Sequence, residues 1–159
     1  MKPLKRWLIA LGIVGVFILT ASAPAEVNVA PTQTRKRVFV TRLYTGQDNQ
    51  THSEEVEVPF TAGTAGGGDI SKLLKITGAE LHRISAGNVN DWHTAPRRQY
   101  VITLSGHGEI EVAEGKKIST APGHILLAED TTGKGHISRT VGSEDRVTLW
   151  LPLVEQTAK

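Results

Sequence analysis

Residues 87–106 read G-N-V-N-D-W-H-T-A-P-R-R-Q-Y-V-I-T-L-S-G. Two short runs with the alternation of strands, 89–93 and 99–104, flank a bend marked by Pro96. Successive side chains of a strand face opposite ways, so His93 and Ala95 share one face while Gln99, Val101 and Thr103 share another. An imidazole and an amide are therefore set to meet inside a closed sheet.

Working outward, the same texture continues. Strands are expected over 79–84, 109–112, 124–127, 136–141 and 146–151, separated by turns at Ser105-Gly106, Glu114-Gly115, Pro122-Gly123 and Gly142-Ser143. Many short strands with glycine and proline turns and almost no helical period predict an all-β sandwich or barrel. Upstream, 37–43 and 54–60 are strand candidates on either side of the turn-rich T-G-Q-D-N-Q-T, and they predict a hairpin lying across the barrel mouth. The glycine-rich run 61–69 lacks the spacing of a phosphate-binding loop and reads as a flexible linker. After it, 69–75 has the composition for one or two helical turns.

With 159 residues, of which 39% are hydrophobic and 5% aromatic, the chain has room for one domain of modest core. Residues 1–6 are basic, 7–19 form an apolar run shorter than the ~20 residues of a spanning helix, and Ala23 and Ala25 satisfy the small-residue rule of signal peptidase. The expected arrangement is a signal peptide over 1–25 cleaved before Glu26, a flexible lead over 26–36, N-terminal strands and linker over 37–75, and a barrel over 76–153. The product is expected in the periplasm or outside the cell, with no membrane attachment after cleavage. Cleavage removes three of the 18 basic residues and leaves a net charge of about −1, which gives no reason to expect nucleic acid. There is no cysteine, hence neither disulfide nor thiolate chemistry.

The spacing around His93 resembles the first motif of the cupin superfamily, G-x5-H-x-H-x3/4-E-x6-G: Gly87, His93 and Gly106 match, Ala95 stands for the second histidine and Gln99 for the glutamate. Residues 123–140, G-H-I-L-L-A-E-D-T-T-G-K-G-H-I-S-R-T, resemble the second motif, G-x5-P-x-G-x2-H-x3-N, with Gly133 and His136 in register. Thr131 replaces its proline and Thr140 its asparagine, and its first gap is two residues longer. The resemblance implies an RmlC-like jelly roll, a single cupin-type β-barrel with an N-terminal β-hairpin and little helix.

It also implies that His93, Gln99 and His136 occupy three of the four positions at which metal-binding cupins hold a divalent ion. Without the anionic ligand, binding of iron, manganese, zinc or nickel is expected to be weak or absent. Substitute ligands are available in His82, Glu80 and Asp91. The same three residues with Arg97, Arg98 and Asp130 are the candidate pocket for a small polar or anionic organic molecule, at most one of the two arginines facing inward. Trp150 and Tyr100 are expected to pack a face rather than line the site, and no catalytic residue is indicated. Two alternatives stay open: a metal-dependent enzyme of the oxygenase, isomerase or decarboxylase type, and a structural or assembly module with an inert pocket. Exposed strand edges make a homodimer a further expectation.

Overall fold

The computed structural model describes residues 35–63 and 67–154; the expected signal peptide and most of the lead lie outside them. Twelve strands follow one another: β1 Phe39–Thr45, β2 Thr51–Glu57, β3 Phe60–Ala62, β4 Asp69–Ser71, β5 Glu80–Ile84, β6 Val89–His93, β7 Gln99–Ser105, β8 His107–Glu111, β9 Lys117–Thr120, β10 Ile125–Glu129, β11 His136–Val141 and β12 Arg146–Pro152. A 3₁₀ turn, Ala113–Gly115, links β8 to β9. The strands form a six-stranded sheet in the order β2-β1-β10-β7-β12-β5, a four-stranded sheet β6-β11-β8-β9, and a separate hairpin β3-β4. The fold is all-β, with sheets packed as a jelly roll.

Period-two alternation sets what points inward. On β10 Leu126 and Ala128 are buried between less buried neighbours, on β12 Arg146 and Thr148, and on β8 Gly108 and Ile110. Leu43, Ile110, Val112 and Leu126 form the apolar cluster, with Val101 and Ile118 against it. That core is small because polar side chains, among them Gln99, Thr103, Thr140, His136 and Arg146, hold many of the buried positions.

Three expectations need correction. β1 and β2 do form a hairpin, but β1 pairs in parallel with β10 and so belongs to the barrel sheet rather than crossing its mouth. Leu43, fully buried, explains this: only pairing with β10 places it against Leu126 and Ile110 while both edges of β1 keep hydrogen-bond partners. The barrel sheet therefore begins at Phe39, well before residue 76. The stretch 69–75 contains no helix, since Asp69–Ser71 is the strand β4 paired with β3 across the glycine run. β9 carries little sequence signal, because K-I-S-T offers only Ile118 and Thr120 as an inward pair.

Candidate functional site

The two motif loops meet at one end of the barrel. β6 and β11 run antiparallel with His93 opposite His136, and their imidazole centroids lie 4.4 Å apart at 55°. Gly135 makes this approach possible. Its φ is +78°, and a Cβ there would overlap the His93 carbonyl, so only glycine fits immediately before His136. The Ala95 N–H donates to the Asp130 carbonyl at 3.1 Å, which ties the first loop to the second.

Each histidine is oriented from behind. His136 Nδ1 lies 2.6 Å from Asp130 Oδ2, and Asp130, wholly buried, also accepts from Thr51 Oγ1 at 3.1 Å. A carboxylate only accepts, so His136 Nδ1 carries the proton and Nε2 is turned toward the barrel interior. His93 Nδ1 lies 2.7 Å from the Asp91 carbonyl, which likewise can only accept, and its Nε2 is 3.4 Å from the Asn90 amide nitrogen. Both rings thus have Nδ1 committed to the protein.

Between the sheets lies a cavity of about 460 Å³, within the ~300–1,000 Å³ range of small-molecule sites. His93, Ala95, Gln99 and His136 line it, and so do Val101, Thr103, Ser138 and Thr140. Inward alternation therefore holds on β7 and β11, whereas on β6 Asn90 and His93 both line the cavity, because the pairing with β11 is irregular between His136 and Ser138. Gln99 is 1% exposed and accepts weakly from Arg97 Nε at 3.4 Å.

Other candidates are placed elsewhere. Arg97 pairs with Glu80 at 2.8 Å, and Arg98 with Glu129, which Arg42 also grips at 2.6 Å; neither Arg97 nor Arg98 lines the cavity, because both forks are taken by carboxylates. Burial pushes the Glu129 carboxyl up, but the hydrogen bonds from Arg98 and Arg42 more than reverse this and hold it below its ordinary value. Asp130 does not reach the cavity either and acts through His136. Glu80 is spent on His82 and Arg97, and the hydrogen bond from His82, then that from Arg97, depress its carboxyl. Asp91 accepts from the Trp92 backbone N–H at 2.8 Å and lies outside the lining. Among the named substitutes only His82 lines the cavity, stacked on Trp150 with centroids 4.2 Å apart and planes 4° from parallel. Trp150 is thus a lining residue, contrary to the expectation that it packs a face. Trp92 instead faces outward, with Lys134 Nζ 3.7 Å from its ring centroid.

The sequence reading missed the far end of the cavity, where His124, Thr120 and Arg146 contribute to the lining. His124 Nε2 lies 2.9 Å from Thr41 Oγ1, whose own proton goes to Glu55 at 2.6 Å. The hydroxyl must therefore accept, Nε2 carries the proton, and Nδ1 is a bare acceptor. Burial lowers the His124 pKa, with Glu55 opposing, which favours this neutral tautomer.

Jelly-roll sheets, inward alternation on β7 and β11 and two histidines face to face across β6 and β11 decide the architecture. The chain has the cupin fold. Similar solved structures include the Cnp3 cupin domain of Schizosaccharomyces pombe, at 14% identity over 76% of this chain and 86% of that one with a TM-score of 0.40. KdgF from Halomonas sp. is 22% identical over 62% of this chain and 80% of that one, with a TM-score of 0.39. An RmlC-like cupin protein from Desulfovibrio desulfuricans is 17% identical over 72% and 81%, with a TM-score of 0.36. No protein-family model matches the sequence, nor does any curated protein. These likenesses concern the barrel, and no activity follows from them.

The donor set of this cupin barrel fits a divalent ion poorly. Among the described residues no three His, Cys, Asp or Glu side chains converge as ligands, and no carboxylate lines the cavity. Two imidazoles and an amide leave a divalent charge uncompensated, and Arg146 adds a further cation to the same space.

Proposed function

We propose that this protein is a binding module that takes up a small polar organic molecule in its cupin barrel, outside the cytoplasm. The observation that carries this reading is the cavity itself. It is enclosed by both sheets, holds apolar side chains at its middle, and presents polar atoms that the protein does not use: His124 Nδ1, Thr140 Oγ1 and Arg146 Nε are buried without a hydrogen-bond partner. Buried polar groups are nearly always satisfied, so three orphans around one cavity point to a guest that satisfies them. Location rests on the basic, apolar and small-residue segments of residues 1–25. An exported chain beginning at Glu26 by mass spectrometry is the expected result, and an intact Met1 in the membrane fraction overturns it.

A metal-dependent enzyme is the second reading, favoured by one observation: both motif histidines commit Nδ1 to a backing acceptor, the arrangement that orients an imidazole toward a metal. Metal analysis of the purified protein separates the two. The binding reading expects well under one equivalent, readily lost to a chelator, and a strong gain in affinity on Ala95→His with Gln99→Glu, which places an imidazole and a carboxylate at two lining positions. One equivalent retained through chelation replaces the binding reading with the enzyme.

A further inference from the structure

The end of the cavity remote from the histidine pair is built around one cation. Arg146 opens β12, is 7% exposed and lines the cavity. Its Nη1 donates to Thr120 Oγ1 at 3.1 Å, while Nε has no partner. Unlike Arg139, whose charge is met by Glu111 at 2.9 Å and Glu109 at 3.3 Å, Arg146 has no carboxylate within ion-pair distance among the described residues. A guanidinium does not shed its proton in proteins, so burial leaves a charge that needs a counter-ion.

The fold makes room for that charge. Gly108 lies opposite Thr120 on β9 and opposite Thr140 on β11, and a Cβ at Gly108 would overlap the Arg146 guanidinium and come within 2.6 Å of Thr120 Oγ1. The guanidinium therefore occupies the space of a missing side chain, bonded to the Thr120 hydroxyl on one side of Gly108, while Thr140, on the other side, has a buried hydroxyl with no partner.

We propose that Arg146, with Thr120 and Thr140, is a carboxylate-binding subsite, and that the barrel's guest is a medium-length organic acid. This rests on the reading of the cavity as a small-molecule site. One unmatched positive charge suits the single charge of a carboxylate better than a phosphate dianion. Beyond the subsite the lining turns apolar at Val101, Ile110, Leu126 and Trp150, and then polar again at His93 and His136. Thr140 and His136 are four residues apart on β11, about 13 Å of strand at ~3.3 Å per residue. The acid is thus one with several carbons between its carboxylate and a hydrogen-bonding group at the other end.

Calorimetric titration with 6-hydroxyhexanoate, 6-hydroxyhexanamide and inorganic phosphate tests this on the wild-type protein and on Arg146→Met. The acid should bind at least tenfold tighter than the amide, and the ratio should fall to about one in Arg146→Met. Thr120→Val, which leaves the guanidinium in place, should weaken the acid several-fold and decides the matter if Arg146→Met does not fold. Equal binding of acid and amide to the wild type overturns the subsite while leaving the small-molecule reading intact. No binding of either overturns both. Phosphate binding as tightly as the acid replaces the organic acid with an inorganic oxyanion, and a ratio that survives Arg146→Met or Thr120→Val removes those residues from recognition.

Discussion

The two ends of the cavity treat their charges in opposite ways. At the motif end, His136 and Thr51 both meet Oδ2 of the Asp130 carboxylate, whose unpartnered Oδ1 belongs to a residue outside the cavity lining, and the His93 ring is held by the Asp91 carbonyl and the Asn90 amide. At the far end the Arg146 guanidinium, the His124 Nδ1 and the Thr140 hydroxyl are buried with less than they need. A satisfied polar network holds a fold in one arrangement; an unsatisfied one costs stability unless something else completes it. The orphaned atoms whose residues line the cavity are all at the far end, so that is where a guest has most to offer.

The largest expected effect tests the first half of that contrast. Asp130→Ala removes a fully buried acceptor from beneath His136 and Thr51 and leaves both donors unmatched, so it should cost about 1–3 kcal/mol for each. Arg146→Met should move in the other direction in the absence of ligand, because it removes a buried charge that lacks a counter-ion. Urea denaturation midpoints of the two variants measure both. If the two changes destabilise alike, the ends do not differ and Arg146 is structural.

Glycine substitutions sharpen the same contrast at a smaller scale. At Gly135 a methyl meets the His93 carbonyl, backbone that cannot retreat, at a φ of +78°; Gly135→Ala should cost about 3 kcal/mol. At Gly108 the overlapping atoms are the end of the long Arg146 side chain and a threonine hydroxyl. Gly108→Ala should therefore cost under about 1 kcal/mol while abolishing the preference for the acid over its amide. A Gly108→Ala protein that keeps that preference would show that the guanidinium need not fill the gap.

How much of this the sequence discloses follows from the same division. β6 and β11 have the bounds that alternation and flanking glycines predict, and the motif spacing brings His93, Gln99 and His136 to one cavity because those residues are close in sequence or held in a register that recurs. Nothing in the sequence marks Arg146, His124 and Thr120 as neighbours. They come from the starts or ends of three separate strand segments, and only the sheet order β10-β7-β12 and the pairing of β8 with β9 bring them together. The arginine pair failed for a different reason: alternation gives a direction, but Glu80 and Glu129, distant in sequence, decide where Arg97 and Arg98 end. The place of β1 is not legible locally, because its parallel partner, β10, lies more than eighty residues on and no local pattern reports a parallel pairing.

The smallest effect concerns His124, the acceptor at the far end. Its pKa is lowered, chiefly by burial, so the unfolded chain takes up the proton first as pH falls. Its contribution to stability is therefore complete above the unfolded value, about pH 6.5, and is lost as pH falls from there through the lower folded value. Comparison with a variant isolates the contribution of this one ring. His124→Gln, which can still donate to Thr41, should flatten the decline in stability between about pH 7.5 and 5.5 by an amount under ~1 kcal/mol, because the ring is only partly buried. Urea midpoints at the two pH values measure the difference. Parallel declines in wild type and variant would mean that His124 is not held as a neutral base, and the far end would then lose the acceptor that distinguishes it from a simple cationic pocket.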